Sequence, residues 1–123
     1  MPSVDQLHAL LAWLAVAGTL ALVGAAILTA SRHDESYRLL DRSILIQAGT
    51  LAMAALSGLA LPVVSGSLPR DPLHFLYAAV GLLVAPAVRY ATRAGDARRM
   101  GRWQVVAAAV VLGAVLRLFM TGR

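Results

Sequence analysis

The sequence predicts an all-α integral membrane protein: a four-helix up-down-up-down bundle, a single domain over 1–123, with both termini outside. Three observations carry that prediction. Of the 123 residues, 59% are hydrophobic, and the mean hydropathy is +0.74. Only 11 basic and 6 acidic side chains are present, too few to cover the surface of a soluble domain of this length. The aliphatic residues also come in four blocks rather than in scattered amphipathic stripes.

The first apolar run, Ala9 to Ala30, is broken only by Gly and Thr, and Ser3 with Gln6 forms a capping box ahead of it. The second, Ile44 to Val64, holds one interior polar side chain, Gln47. The third runs from Leu73 to about Tyr90 and contains His74 and Pro86, with Asp71-Pro72 as N-cap and first helical residue. The fourth, Trp103 to Met120, is interrupted by Arg117. A membrane helix needs about 20 apolar residues, and backbone polar groups in hydrocarbon must be satisfied within the segment. Helical spans are therefore expected at about 5–30, 43–64, 72–91 and 102–120.

The links at Ser31–Ser43, Ser65–Arg70 and Arg89–Arg102 are short, so successive helices are expected to be antiparallel neighbours. Arg32, Arg38, Arg42, Arg89, Arg93, Arg98, Arg99 and Arg102 fall in the first and third links, against Arg70, Arg117 and Arg123 on the other side. That asymmetry puts the two arginine-rich links in the cytoplasm of a bacterial inner (plasma) membrane. No basic residue precedes the first span, unlike a cleavable signal peptide. Trp13 and Trp103 fall near opposite interfaces, as belt aromatics do. The sequence pI of about 11.1 reports orientation in such a chain, and no nucleic-acid partner is expected.

Several function classes lack their chemistry. With no cysteine there is no thiol redox centre, iron–sulfur cluster or thioether-bound haem. The six acids (Asp5, Asp34, Glu35, Asp41, Asp71 and Asp96) fall at span ends or in links, so proton-coupled antiport lacks a membrane-embedded carrier. There is no asparagine for a fluoride pore, and the four methionines are scattered rather than clustered for copper(I).

Polar side chains inside spans are the expected carriers of function. His8 lies about one turn into span one and His74 in the first turn of span three. These two parallel spans face each other across the diagonal of the bundle, with the histidines at similar depth near the outer surface. Each heads a face of small residues: Ala12, Ala15 and Thr19 below His8, and Ala78, Gly81 and Ala85 below His74. A flat macrocycle with an axial imidazole from each side fits such a pair of grooves, which points to haem b with His8 and His74 as iron ligands. Arg117 lies ~21 Å from the cytoplasmic end of span four, on the histidine side. It and Arg70 in the outer link are candidates for the two propionates. The competing reading makes both histidines interfacial, Arg117 a snorkelling residue and the small-residue faces ordinary helix packing. Gln47 reads as an interhelical hydrogen bond, with a quinone contact as its sharper alternative, and the Arg93–Arg102 group as a contact to anionic lipid after its orientation role.

On His8, Asp71-Pro72-Leu73-His74 and Leu116-Arg117-Leu118-Phe119, the chain resembles the small bacterial four-helix membrane proteins of b-type cytochrome character, cytochrome b561-like and CopD-like in plan. The resemblance implies an electron-transfer or haem-handling protein, more accessory subunit than enzyme, working with a larger membrane complex or as a homo-oligomer in the lipid bilayer. Two intramembrane histidines supply one bis-histidine haem rather than the two of the dihaem members. The alternative is a cofactor-free structural or assembly subunit, whose small-residue faces pack against membrane partners.

Overall fold

The computed structural model describes residues 3–31, 36–66 and 72–121, and within these also leaves the side chains of residues 4, 36, 37, 64, 65 and 97 aside. Four helices make up the described residues, with no strand among them: α1 (Val4–Ser31), α2 (Ser36–Ser65), α3 (Leu73–Ala91) and α4 (Ala97–Thr121). All four are long and apolar enough to cross a membrane.

Local chemistry fixes the helix ends. The backbone N–H of Ser3 donates to Gln6 Oε1 (3.0 Å) and that of Gln6 to Ser3 Oγ (3.2 Å), the reciprocal capping box expected from the sequence. Gly66 terminates α2 at φ 69°, a conformation that glycine adopts without steric cost, and its N–H closes onto Pro62 O at 3.1 Å. Pro72 has helical dihedrals (φ −62°, ψ −21°) at the start of α3; its expected cap, Asp71, lies outside the described residues. Asp96 Oδ1 accepts the Arg99 N–H at 2.7 Å and caps α4.

Two helices start earlier than the hydropathy implied. Ser36–Ser43 is the first part of α2 rather than link, Arg89 belongs to the last turn of α3, and α4 begins at Ala97 rather than near 102. Hydropathy marks where hydrocarbon would lie, whereas a helix continues into water as long as its own hydrogen bonds do. One consequence is a bidentate ion pair between Arg89 and Asp41, Nε on Oδ1 and Nη2 on Oδ2, that ties α3 to α2 at the arginine-bearing end.

α1 packs against α2 and α4, α3 packs against α4 and more thinly against α2, and no Cα of α1 comes within 8 Å of one in α3. Neighbouring helices run antiparallel. Gly18 meets Gln47 while His8 meets Ser57 between α1 and α2, and Gln104 meets Ala85 while His74 meets Thr121 between α4 and α3. Gly101 lets α4 approach α1 so closely that a Cβ there would overlap the Thr29–Ala30 backbone. The main core joins Leu22, Ala26, Leu40, Ala85, Val111 and Val115 from all four helices. The outside is apolar too: Leu45 is 73% exposed, Val63 87% and Leu83 60%, as lipid-facing positions are.

Candidate functional site

Towards the histidine-bearing end the core gives way to a cavity of about 530 Å³, walled by residues from all four helices. The side chains that open it are small: Ala12, Ala15, Ala54, Gly58 and Ala78 lie on its wall, with Leu118 and Phe119 closing the α4 side. His8 and His74 both line it. Trp13 stacks obliquely on Phe119 (5.1 Å between centroids) where α1 and α4 meet at this end.

His8 is held on α2. Its Nδ1 lies 3.0 Å from Ala54 O and 2.9 Å from Ser57 Oγ, while Ser57 donates its own hydroxyl hydrogen to Ala54 O at 2.8 Å. A carbonyl oxygen only accepts, so Nδ1 carries the proton and the neutral ring keeps its lone pair on Nε2. The ring lies over Gly58, where any Cβ would come within 2.9 Å of Cε1. Pro62, one turn further along α2, removes the N–H that would otherwise bond the Gly58 carbonyl.

His74 is held on α4 by the same logic. Its Nδ1 is 3.0 Å from Thr121 Oγ1, and the Thr121 hydroxyl donates to Arg117 O at 2.9 Å. That hydroxyl therefore accepts from His74, and Nδ1 again bears a proton. The ring also meets Phe75 edge-on at 6.1 Å. Each imidazole thus has its Nδ1 fixed by an acceptor anchored to a neighbouring helix, the arrangement that orients metal-ligating histidines. No group of three or more His, Cys, Asp or Glu side chains that could hold a metal ion occurs among the described residues.

Arg117 is not on the cavity wall. Arg117 is exposed on α4, its guanidinium 6.0 Å from the Tyr77 ring and Nη1 4.0 Å from Met120 Sδ. Helical period is the reason: Val115, Leu118 and Phe119 turn inward, and position 117 then faces out. Arg70 lies outside the described residues. The one charged side chain on the cavity wall among the described residues is Asp5.

Gln47 is fully buried, away from the cavity wall, and donates from Nε2 to Gly81 O at 3.1 Å, an interhelical hydrogen bond. Gln104, which sequence reasoning passed over, does the same from α4 to Ala85 O at 2.8 Å. Its signal was available, a lone amide inside an apolar run. Ser57, Gly58 and Thr121 were missed as well; a glycine at 58 beside a serine was the visible trace of the first two. Compared with protein-family models, with curated proteins and with solved structures, the chain gives no match.

Proposed function

We propose that the bundle binds one haem b in the cavity, with His8 and His74 as axial ligands, and serves electron transfer or haem handling. The observation that carries this reading is the pair of imidazoles from α1 and α3 on one cavity wall, each with Nδ1 fixed by a group on a neighbouring helix. The residues present fit such a group in donor chemistry, and the small side chains of Ala12, Ala15, Ala54 and Ala78 keep the wall open. Bound haem supplies a one-electron iron couple. The chain's own part is to orient the two imidazoles, exclude water with Leu118 and Phe119, and keep the iron away from the arginine-bearing end.

The orientation proposed with it is the up-down-up-down arrangement with both termini outside, in a bacterial inner membrane. It is supported by the concentration of arginine at the opposite end of the bundle. Most of a ~30 Å hydrocarbon core then separates the iron from the cytoplasm, so a membrane partner completes any electron path across it. A reduced-minus-oxidised spectrum of detergent-purified protein tests the reading. Sharp α and Soret bands of six-coordinate low-spin haem are expected, lost in His8→Ala and in His74→Ala. Undiminished bands in either variant overturn the ligand assignment.

A second reading is favoured by the same hydrogen bonds. His8 ties α1 to α2 and His74 ties α3 to α4, as purely structural clamps would in a cofactor-free assembly subunit. A colourless protein, expressed with ample haem and destabilised by either alanine variant, selects that reading.

A further inference from the structure

A second recess, of about 440 Å³, lies at the arginine-bearing end, between α2 and α3. These are the neighbouring helices that pack most thinly. Its wall is divided: Ile44 and Pro86 supply an apolar part, and Arg89, Tyr90, Arg93 and Asp41 a polar one. The Pro86 ring presents hydrocarbon on the α3 wall. The apolar character continues along the exposed faces of the same two helices through Leu45 and Leu83.

The polar part is cationic. Arg89 spends Nε and Nη2 on Asp41, which cancels one charge. Arg93 meets no carboxylate within ion-pair distance among the described residues. It lies 3.8 Å over the Tyr90 ring and donates from Nη1 to Tyr90 O at 2.7 Å. Those contacts hold the guanidinium while leaving other N–H donors of its five. Tyr90 itself is 67% exposed, the position of an interfacial aromatic. Around the recess the charge excess continues: Arg38, Arg42, Arg98, Arg99 and Arg102 belong to the same end of the bundle, against Asp41 and Asp96 among the described residues.

We propose that this recess is a binding site for a phospholipid with an anionic headgroup. The phosphate meets Arg93, with Arg89 behind it, and an acyl chain follows Ile44 and Pro86 down the α2–α3 seam. A cationic rim above an apolar channel matches a lipid in both halves, whereas a soluble anion would use only the rim. A planar guanidinium can donate to two oxygens of a phosphate at once, which an ammonium does less well. The proposal stands apart from the histidine cavity and is independent of what that cavity holds.

Native mass spectrometry of the full chain in detergent, titrated with dioleoyl phosphatidylglycerol or dioleoyl phosphatidylcholine, tests it. Phosphatidylglycerol is expected to stay bound in preference to phosphatidylcholine. Arg93→Ala is expected to weaken it by about fivefold, the contribution of one arginine at an anionic surface, with an unchanged melting temperature because the side chain is exposed. Arg102→Ala, at the same end but off the recess, is expected to leave binding as it was. Equal retention of the two lipids overturns the proposal. So does an equal loss in the two variants, which would mean a diffuse ring of charge. Displacement by glycerol phosphate at the lipid's own concentration overturns the lipid assignment in favour of a soluble anion.

Discussion

His8 and His74 line the same cavity from two helices whose backbones stay apart. Each is braced on a different neighbour, His8 on Ala54 and Ser57 of α2 and His74 on Thr121 of α4. The separation of α1 from α3 is thus what makes the cavity, and α2 and α4 are what aim the rings. Variants of the bracing residues test the site without touching the imidazoles themselves.

Gly58→Ala is the first such variant. The added Cβ would come within 2.9 Å of His8 Cε1, and the ring cannot swing aside without giving up its bond to Ala54 O. The lost hydrogen bond costs about 1 kcal/mol and the alanine returns up to about 1 kcal/mol of helix propensity, so the melting temperature in detergent is expected to change little. The effect is expected in ligand binding, because the ring is displaced. Full retention of the cavity ligand would show that Gly58 is not a seat for the ring.

Gly101 and Gly113 make a matched pair on α4. A Cβ at 101 meets the backbone of Thr29 and Ala30, which cannot rotate away, while a Cβ at 113 meets nothing within 4 Å. Gly101→Ala therefore forces α1 and α4 apart and should cost about 1–3 kcal/mol or more. Gly113→Ala should stabilise by up to about 1 kcal/mol through helix propensity. Thermal unfolding of the two proteins in the same detergent checks the sign of each.

The two buried glutamines look essential and should not be. Gln47 and Gln104 each donate one hydrogen bond to an α3 carbonyl, but each also buries an Oε1 with no partner. The carbonyls they reach, Gly81 and Ala85, sit within α3 at positions where the helix supplies its own donors from Ala85 and Arg89. An interhelical hydrogen bond in a membrane averages about 0.6 kcal/mol, and relief of the unpaired oxygen offsets it. Gln47→Leu and Gln104→Leu are expected to change stability by less than about 1 kcal/mol. A loss of several times that in either variant would mean that Oε1 has a partner in the membrane, such as an ordered water.

Much of this arrangement was legible in the sequence, and what was not has a common physical cause. The 3.6-residue period placed Ala12 and Ala15 under His8 and Ala78 under His74, and all three lie on the cavity wall. The Ser3–Gln6 box was equally readable, because capping depends on local spacing alone. Arg117 shows the limit: its depth along α4 is set by residue count, but its facing depends on how α4 is rotated, which the packing of Val115, Leu118 and Phe119 decides. The imidazole partners of Ser57 and Thr121 were invisible for the same reason. A hydroxyl near a helix end reads as a cap or a surface group until the register between two helices brings an imidazole to it. The early start of α2 at Ser36 escaped notice because a polar helical turn carries no hydropathy signal.

Thr121 offers the sharpest separation of a structural from a functional role. Its hydroxyl donates to Arg117 O and accepts from His74 Nδ1, so Thr121→Val keeps the shape and removes the acceptor. If His74 is only a clamp between α3 and α4, the variant loses about 1 kcal/mol of stability and nothing else changes. If His74 is an axial ligand, losing the acceptor also makes Nε2 a weaker donor and frees the ring to turn. The expected result is haem that is still bound but shows a raised midpoint potential and a partial high-spin spectrum. Thr121→Ser, which restores the hydroxyl without the methyl group, should bring both back towards the parent values. A haem-loaded Thr121→Val protein with unaltered potential and spectrum would remove Thr121 from the site while leaving His74 as ligand. A colourless parent protein would instead remove the haem itself, so the two failures are told apart by the parent spectrum alone.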